Sequence, residues 1–305
     1  MKPVLVCSDV LAAEITRSSS AQTYFTIRFL ADRTLVPDAY RAYAYFRWVD
    51  DILDAETGAP VERSAFIRRQ QLLLEACYRG QDFGNACAEE QMLVDLVAHD
   101  REPGSGLQSY LRNMMAVMAF DVERRGRLIS QVELATYSRQ LSTAVTDALH
   151  YFIGRGCAPT RADARYLPVQ GAHIIHMLRD WSEDRAAGYF NLPRESVEAH
   201  GLSFQDETDL AFRQWVRGRV NLAQAYFQAG REYLAGVRSL RLRLACFAYI
   251  ARFEWMARAI ALDGYRLRPA YPERKSARAC AWMVWRTLSS VCGLCRPSPV
   301  RAICS

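Results

Sequence analysis

From Tyr43 to Asp54 the sequence reads YAYFRWVDDILD. The stretch holds neither glycine nor proline, and its apolar residues recur at three- and four-residue spacing, so it predicts a helix. On that helix Asp50 and Asp54 share one face, one turn apart. Arg47 lies on the same face one turn earlier, and Asp51 is rotated away by about 100°. Stacked like charges oppose a helix by roughly a few tenths of a kcal/mol, so two carboxylates among apolar neighbours point to a cation. Oxygen-only donors favour a hard ion such as Mg²⁺, which takes one or two carboxylates and the oxygens of a phosphorylated substrate. A solvated acidic face is the competing reading of any single pair.

A second stretch decides between them. Met177 to Asp184 reads MLRDWSED, with Asp180 and Asp184 at the same spacing and Arg179 beside them. Two such helices facing each other would set four carboxylates, Asp50, Asp54, Asp180 and Asp184, around one cavity suited to metal ions and a diphosphate.

Strands are hard to place in the remaining sequence. Glycine and proline fall mostly between periodic segments over the first 270 residues, and alternating Val/Ile/Thr runs bounded by tight turns are missing, which predicts an all-α chain. Loop signals such as Arg101–Gly106 and Gly154–Pro159 are too short for interdomain linkers. The expected organisation is a lead-in over 1–17, one helical domain over 18–275, and a C-terminal helix and tail over 276–305. A serine around 18–20 should cap a helix running to about Ala31. Pro37 and Asp38 open the helix that carries the first motif, and Gly58–Pro60 stops it. Outer helices are expected over 62–80 and 88–99. A Met-rich helix follows over 107–125 (Met114, Met115, Met118), then helices over 131–153, 164–185, 205–235 and 239–263. Methionines at this spacing are core filler that also suits the wall of a hydrocarbon cavity.

The net charge of +6 comes with both signs well mixed and fits anionic substrates or an anionic membrane surface. No basic run interleaved with aromatics is present, so nucleic acid is not an expected partner. Nine irregularly spaced cysteines indicate reduced thiols and a cytoplasmic setting. The CGLC run at Cys292–Cys295 has no second ligand pair to complete a zinc site. No signal peptide and no membrane span are apparent, the best candidate (Cys280–Cys295) being short and carrying Arg286.

At this point the motifs carry a resemblance. YAYFRWVDDILD and LRDWSEDRAAGYFNLP resemble the first and second aspartate motifs of the squalene synthase and phytoene synthase family of head-to-head prenyl transferases. The similarity runs from about Ser18 to Lys275 and continues through Pro193–Leu202. It implies an isoprenoid synthase fold with a central cavity between two aspartate-bearing helices. It assigns Asp50, Asp54, Asp180 and Asp184 to magnesium–diphosphate binding and Arg47 and Arg179 to the diphosphate. Tyr137 falls where the family has an active-site tyrosine, and Asp121 where it has an acidic residue near the metals. Tyr43 and Phe253 are counted with the substrate-binding residues.

Such a site would ionise an allylic prenyl diphosphate, with Mg²⁺ and arginines taking up the leaving group's charge. An apolar cavity would protect the allylic cation from water. The chain departs from the family on the other side. His173 and His176 replace the usual Gln and Asn, and neutral imidazole is a borderline ligand ill suited to Mg²⁺. The alternative for each is a hydrogen-bonded pocket residue. Ser142, Thr143 and Thr146 replace small residues that make room for a second prenyl chain, and Phe253 stands where a tyrosine is common. The expected activity is therefore Mg²⁺-dependent head-to-head condensation of two prenyl diphosphates. The rival is a diverged enzyme passing one prenyl group to another acceptor, such as an aromatic ring, or cyclising it. His176, Asp51 or Tyr137 would then accept the proton. A third reading is an idle family member serving as a subunit or lipid-binding protein. Peripheral membrane contact through Trp282 and Trp285, near Arg274, Lys275 and Arg278, is weighed against packing of that helix on the domain, and packing is favoured.

Overall fold

The computed structural model describes residues 7–55, 60–154, 163–201 and 209–293. Its helices are α1 Ser8–Ser19, α2 Ala21–Leu30, α3 Val36–Asp54, α4 Pro60–Tyr78, α5 Ala88–His99, α6 Gly106–Arg124 and α7 Gln131–Ile153. They continue with α8 Leu167–Arg179, α9 Trp181–Ala186, α10 Arg194–His200, α11 Leu210–Ala235, α12 Leu240–Leu262 and α13 Ala277–Val291. Among the described residues there is no strand, only an isolated bridge between Leu128 and Phe190. No described helix is long and apolar enough to cross a membrane. Gly58, Gly154–Pro159 beyond its first residue, Cys295 and the tail lie outside the described residues.

Helix starts follow local chemistry. The Ser20 side chain accepts from the Thr23 N–H at 3.2 Å to open α2. Ser130 and Glu133 form a reciprocal capping box at the start of α7, and Pro37 sits in the first turn of α3. One expectation needs correction: most of the lead-in is a helix, α1. Its inner face is Ser8, Ala12 and Thr16, small residues that bury against α3 without the bulky apolar period that announces a helix. Arg41 on α3 donates to Ser8 Oγ at 2.8 Å.

The described helices group into two compact units. The first takes the described residues up to 154 together with Asp184–Val197. Its core is α3, whose Ala44, Tyr45 and Val49 are fully buried against α1, α5 and α6. Burying Tyr45 requires a partner for its hydroxyl, which donates to Gln70 Oε1 at 2.9 Å. Gln70 donates in turn to Glu90 Oε1 at 2.9 Å. Arg69 grips both oxygens of Glu90 at 2.7 and 2.8 Å. That grip, helped by Gln70 and the Cys87 N–H, holds the Glu90 carboxyl down at about 2.

Glu90 is depressed in the folded state, so its contribution is present above the unfolded value of 4.5 and lost as pH falls from there towards about 2. Glu90→Gln should cost about 2–3 kcal/mol at neutral pH. The gap between variant and wild type should close by about pH 2. Urea unfolding at several pH values measures both, and a pH-independent difference would mean that packing, not charge, is what the residue supplies.

The second unit takes the described residues from 163 to 183 and from 198 onward. Its centre is α8, held between α11 and α12. The approach of α8 to α11 is close enough to need glycine twice. A Cβ on Gly230 would lie 2.2 Å from Pro168 Cγ, and one on Gly171 would lie 2.9 Å from a Phe227 ring carbon. Trp181 is buried on Phe212 and Trp215, ring centroids 5.1 and 6.1 Å away.

Candidate active site

In the first unit α3 presents Asp50 half-exposed and Asp54 exposed near its C-terminal end. Tyr43, two turns earlier, is half-buried. Arg47 lies 3.5 Å from Asp50 and pairs more closely with Asp51, so Asp51 is held by an arginine on the solvent side. Partial burial and the nearby Asp54 carboxylate push the Asp50 carboxyl up to about 6. Asp121 and Asp51 add to this, and Arg47 opposes it. Arg47 thus does not cancel the combined effect of burial and the neighbouring carboxylates on Asp50.

Beside it is a buried network on α6 and α7. Arg124, 6% exposed, donates through Nε to Asp121 Oδ1 at 2.6 Å and through a terminal nitrogen to Asn191 Oδ1 at 2.7 Å. Its guanidinium lies over the rings of Tyr137 and Tyr189, 4.8 and 4.9 Å from their centroids. The Tyr137 hydroxyl donates to Asp121 Oδ2 at 3.1 Å. Burial, then the Asp121 charge, raises the phenol well above its ordinary value, so it remains a neutral donor. Burial also raises the Asp121 carboxyl against the pull of Arg124. Asn191 donates its amide to Asp184 Oδ2 at 2.6 Å.

The loop that brings Asn191 there is stitched to the α6–α7 connection. Gly126 and Gly188, both at positive φ, are joined by an N–H···O bond of 2.8 Å. The Arg194 N–H donates to the Ile129 carbonyl at 2.9 Å.

The second motif differs from expectation. It is not one continuous helix: α8 stops at Arg179, and Asp180, at φ −96° and ψ 13°, separates it from α9. Tertiary contacts outweigh local helical preference here. Arg179 takes both oxygens of Asp180, and His176 Nε2 lies 3.0 Å from Oδ2, while the next residue, Trp181, turns into the aromatic cluster. Asp180 and Asp184 are therefore not carried by one helix. Asp184 belongs to the first unit with Asp50, Asp54 and Asp121, and Asp180 belongs to the second.

Burial pushes the Asp180 carboxyl up, but Arg179 and His176 outweigh it and hold it well below the usual carboxylate range. The His176 imidazole stands edge-on to Phe253, centroids 6.5 Å apart. His173 is buried at 6% exposure, and Phe253 at 7%. Within the second unit Arg179, Asp180, Glu183, Tyr271, Arg274 and Lys275 line a cleft of about 290 Å³. Burial, then the charge of Arg179, lowers Arg252 from its ordinary value.

Asp50 and Asp54 fit a Mg²⁺-type ion. Their donors are oxygens, the atoms a hard divalent cation prefers. Among the described residues no three His, Cys or acidic side chains close on one metal position. A Mg²⁺-type ion takes one or two carboxylates and the rest of its shell from waters and substrate phosphates.

Sequence reading missed Arg124, Asn191 and Arg252. The partners Arg124 and Asn191 lie 67 residues apart, and the only local hint was Asn191 inside the second motif's GYFNLP.

The family described as squalene/phytoene synthase matches residues 16–281. The chain is 27% identical over 258 residues to a 15-cis-phytoene synthase of Synechocystis sp., covering 77% of this chain and 72% of that one. It is 26% identical over 204 residues to a presqualene diphosphate synthase of Zymomonas mobilis, covering 65% of each. A squalene synthase from Alicyclobacillus acidocaldarius superposes with a TM-score of 0.67 at 20% identity, over 86% of this chain and 95% of that one. The architecture is the all-α isoprenoid synthase fold.

Proposed function

Because the chain belongs to the squalene/phytoene synthase family, whose members transfer prenyl groups, we propose that it joins two allylic prenyl diphosphates head to head with the help of Mg²⁺. The family match runs through both units, which supports counting residues 18–275 as one synthase domain. The observation that carries the reading is the set of carboxylates that the first unit holds, Asp50, Asp54, Asp121 and Asp184; burial first, and then Asp54 and Asp121, raise Asp50 to about 6.

Bound Mg²⁺ would supply charge neutralisation for a diphosphate held at Asp50 and Asp54. Arg47 and Arg179 would contact the diphosphate oxygens, and Asp180, already clamped by Arg179 and His176, would orient that guanidinium. When the C–O bond breaks, its electron pair leaves with the diphosphate. The allylic cation that remains is stabilised by aromatic faces such as Phe253 and kept from water by apolar walls. The double bond of the second donor attacks the cation, a C–C bond forms, and a proton leaves; departure of the second diphosphate with its C–O electron pair and loss of a second proton then give a symmetric hydrocarbon. His176 is the natural acceptor for the first proton, an imidazole beside a carboxylate. Such products are water-insoluble, so peripheral contact with a membrane accompanies this reading. The six described cysteines are unpaired, in keeping with a cytoplasmic setting.

Mass spectrometry of products tests the proposal. Farnesyl or geranylgeranyl diphosphate alone, with Mg²⁺, should give a symmetric condensation product and inorganic diphosphate. Inertness until an aromatic acceptor is added would establish the diverged prenyl transferase instead, for which the altered residues His173, His176, Ser142 and Thr146 are the motive. No diphosphate release under any condition would leave only the idle-subunit reading.

A further inference from the structure

The amphipathic pattern of α13 is inverted. Its inward face carries polar groups. Arg286 donates to Glu254 at 3.1 Å, Arg231 bridges Glu254 and Ser290, Arg243 donates to the Val291 carbonyl at 2.7 Å, and Thr287 and Ser289 are buried. Its outward face is apolar. Val284, Trp285 and Leu288 are 59%, 61% and 53% exposed, and Ala277, Ala281 and Cys292 extend the same exposed stripe. Of the two tryptophans expected to face outward only Trp285 does. Trp282 packs on Trp255, centroids 5.5 Å apart. A helix facing water would carry these two faces the other way round.

We propose that α13 is a docking face for an anionic lipid bilayer. Charge selects that occupant. Arg274, Lys275 and Arg278 are exposed at the N-terminal end of the stripe, and from Arg274 to Ser305 the sequence has six Arg or Lys and no Asp or Glu. An anionic headgroup layer meets the cations while the acyl boundary takes Val284, Trp285 and Leu288, tryptophan being at home at that depth. A second copy of the chain would bring the same cations to the seam instead. The proposal rests on the prenyl-transfer reading only for its purpose, the release of a greasy product. Its test contains no prenyl diphosphate, so either can fail alone.

The test is flotation of the full-length protein with vesicles of phosphatidylcholine, with and without phosphatidylglycerol. Wild type should float with the anionic vesicles and be released as salt rises. Trp285→Gln with Leu288→Gln should weaken partitioning at least about tenfold. Arg278→Glu, which leaves the apolar stripe intact, should weaken it several-fold and reduce the salt dependence. All three positions are exposed, and circular dichroism verifies the fold. Wild type that stays with the soluble fraction, or flotation untouched by both variants, overturns the proposal. So does self-association in ultracentrifugation that the double variant abolishes without any vesicle binding.

Discussion

Asp50→Asn should slow diphosphate release by at least about a hundredfold while leaving the protein no less stable than wild type. The loss follows from the role proposed for the carboxylate. A charge placed to hold the metal–diphosphate assembly acts where charge develops, and removing one such group typically costs about 10²–10³ in rate. The stability effect has the opposite sign because the Asp50 carboxyl is raised to about 6 by burial and by Asp54. The folded protein then binds that proton more tightly than the unfolded chain, and stability falls as pH rises from about 4 to about 6. Asparagine abolishes that slope. Asp50 keeps 41% of its side chain exposed, so solvent screening limits the neutral-pH gain to at most about 1 kcal/mol. A third measurement uses ligand linkage. Mg²⁺ with inorganic diphosphate should raise the melting temperature of wild type and not that of the variant. Unchanged diphosphate release would remove Asp50 from the mechanism. Lost activity together with lost stability would make it a structural residue.

How far the sequence reaches can be judged element by element. Helix α7 falls on the 131–153 expected, α6 lies within a residue of 107–125, and α3 starts within a residue of Pro37 but ends at Asp54, short of the stop expected at Gly58–Pro60; each is long and periodic. The break at Asp180 has no local signature. Neither glycine nor proline marks it, and it depends on Arg179 and His176 converging on one carboxylate while Trp181 finds Phe212 and Trp215. The first helix was hidden for the opposite reason, since its contacts are small and polar. Of the predicted metal aspartates, which three share a unit was equally beyond spacing rules, because Asp184 is placed by Asn191, itself held by Arg124 from another helix. Motif wording singles out the carboxylates; the partners that position Asp184 are tertiary.

Arg124→Met should be the most destabilising single change in the first unit, costing about 3–5 kcal/mol. Methionine fills much of the volume but leaves the partly buried Asp121, its side chain 21% exposed, with the Tyr137 hydroxyl as its hydrogen-bond donor. The carboxyl, already raised by burial, would be driven further up. The methionine would also remove the cation from between the Tyr137 and Tyr189 rings and release Asn191, which orients Asp184. Arg124→Lys keeps the charge but cannot span both Asp121 and Asn191, and should recover only part of the loss. The decisive variant is Arg124→Met combined with Asp121→Asn. If the penalty comes from an uncompensated buried carboxylate, neutralising it should return at least about 2 kcal/mol, a coupling that a double-mutant cycle on urea unfolding measures directly. Additive losses would mean that packing of the guanidinium, and not its charge, supports the site. An Arg124→Met protein within about 1 kcal/mol of wild type would show that Asp121 and Asp184 are positioned by something other than this network.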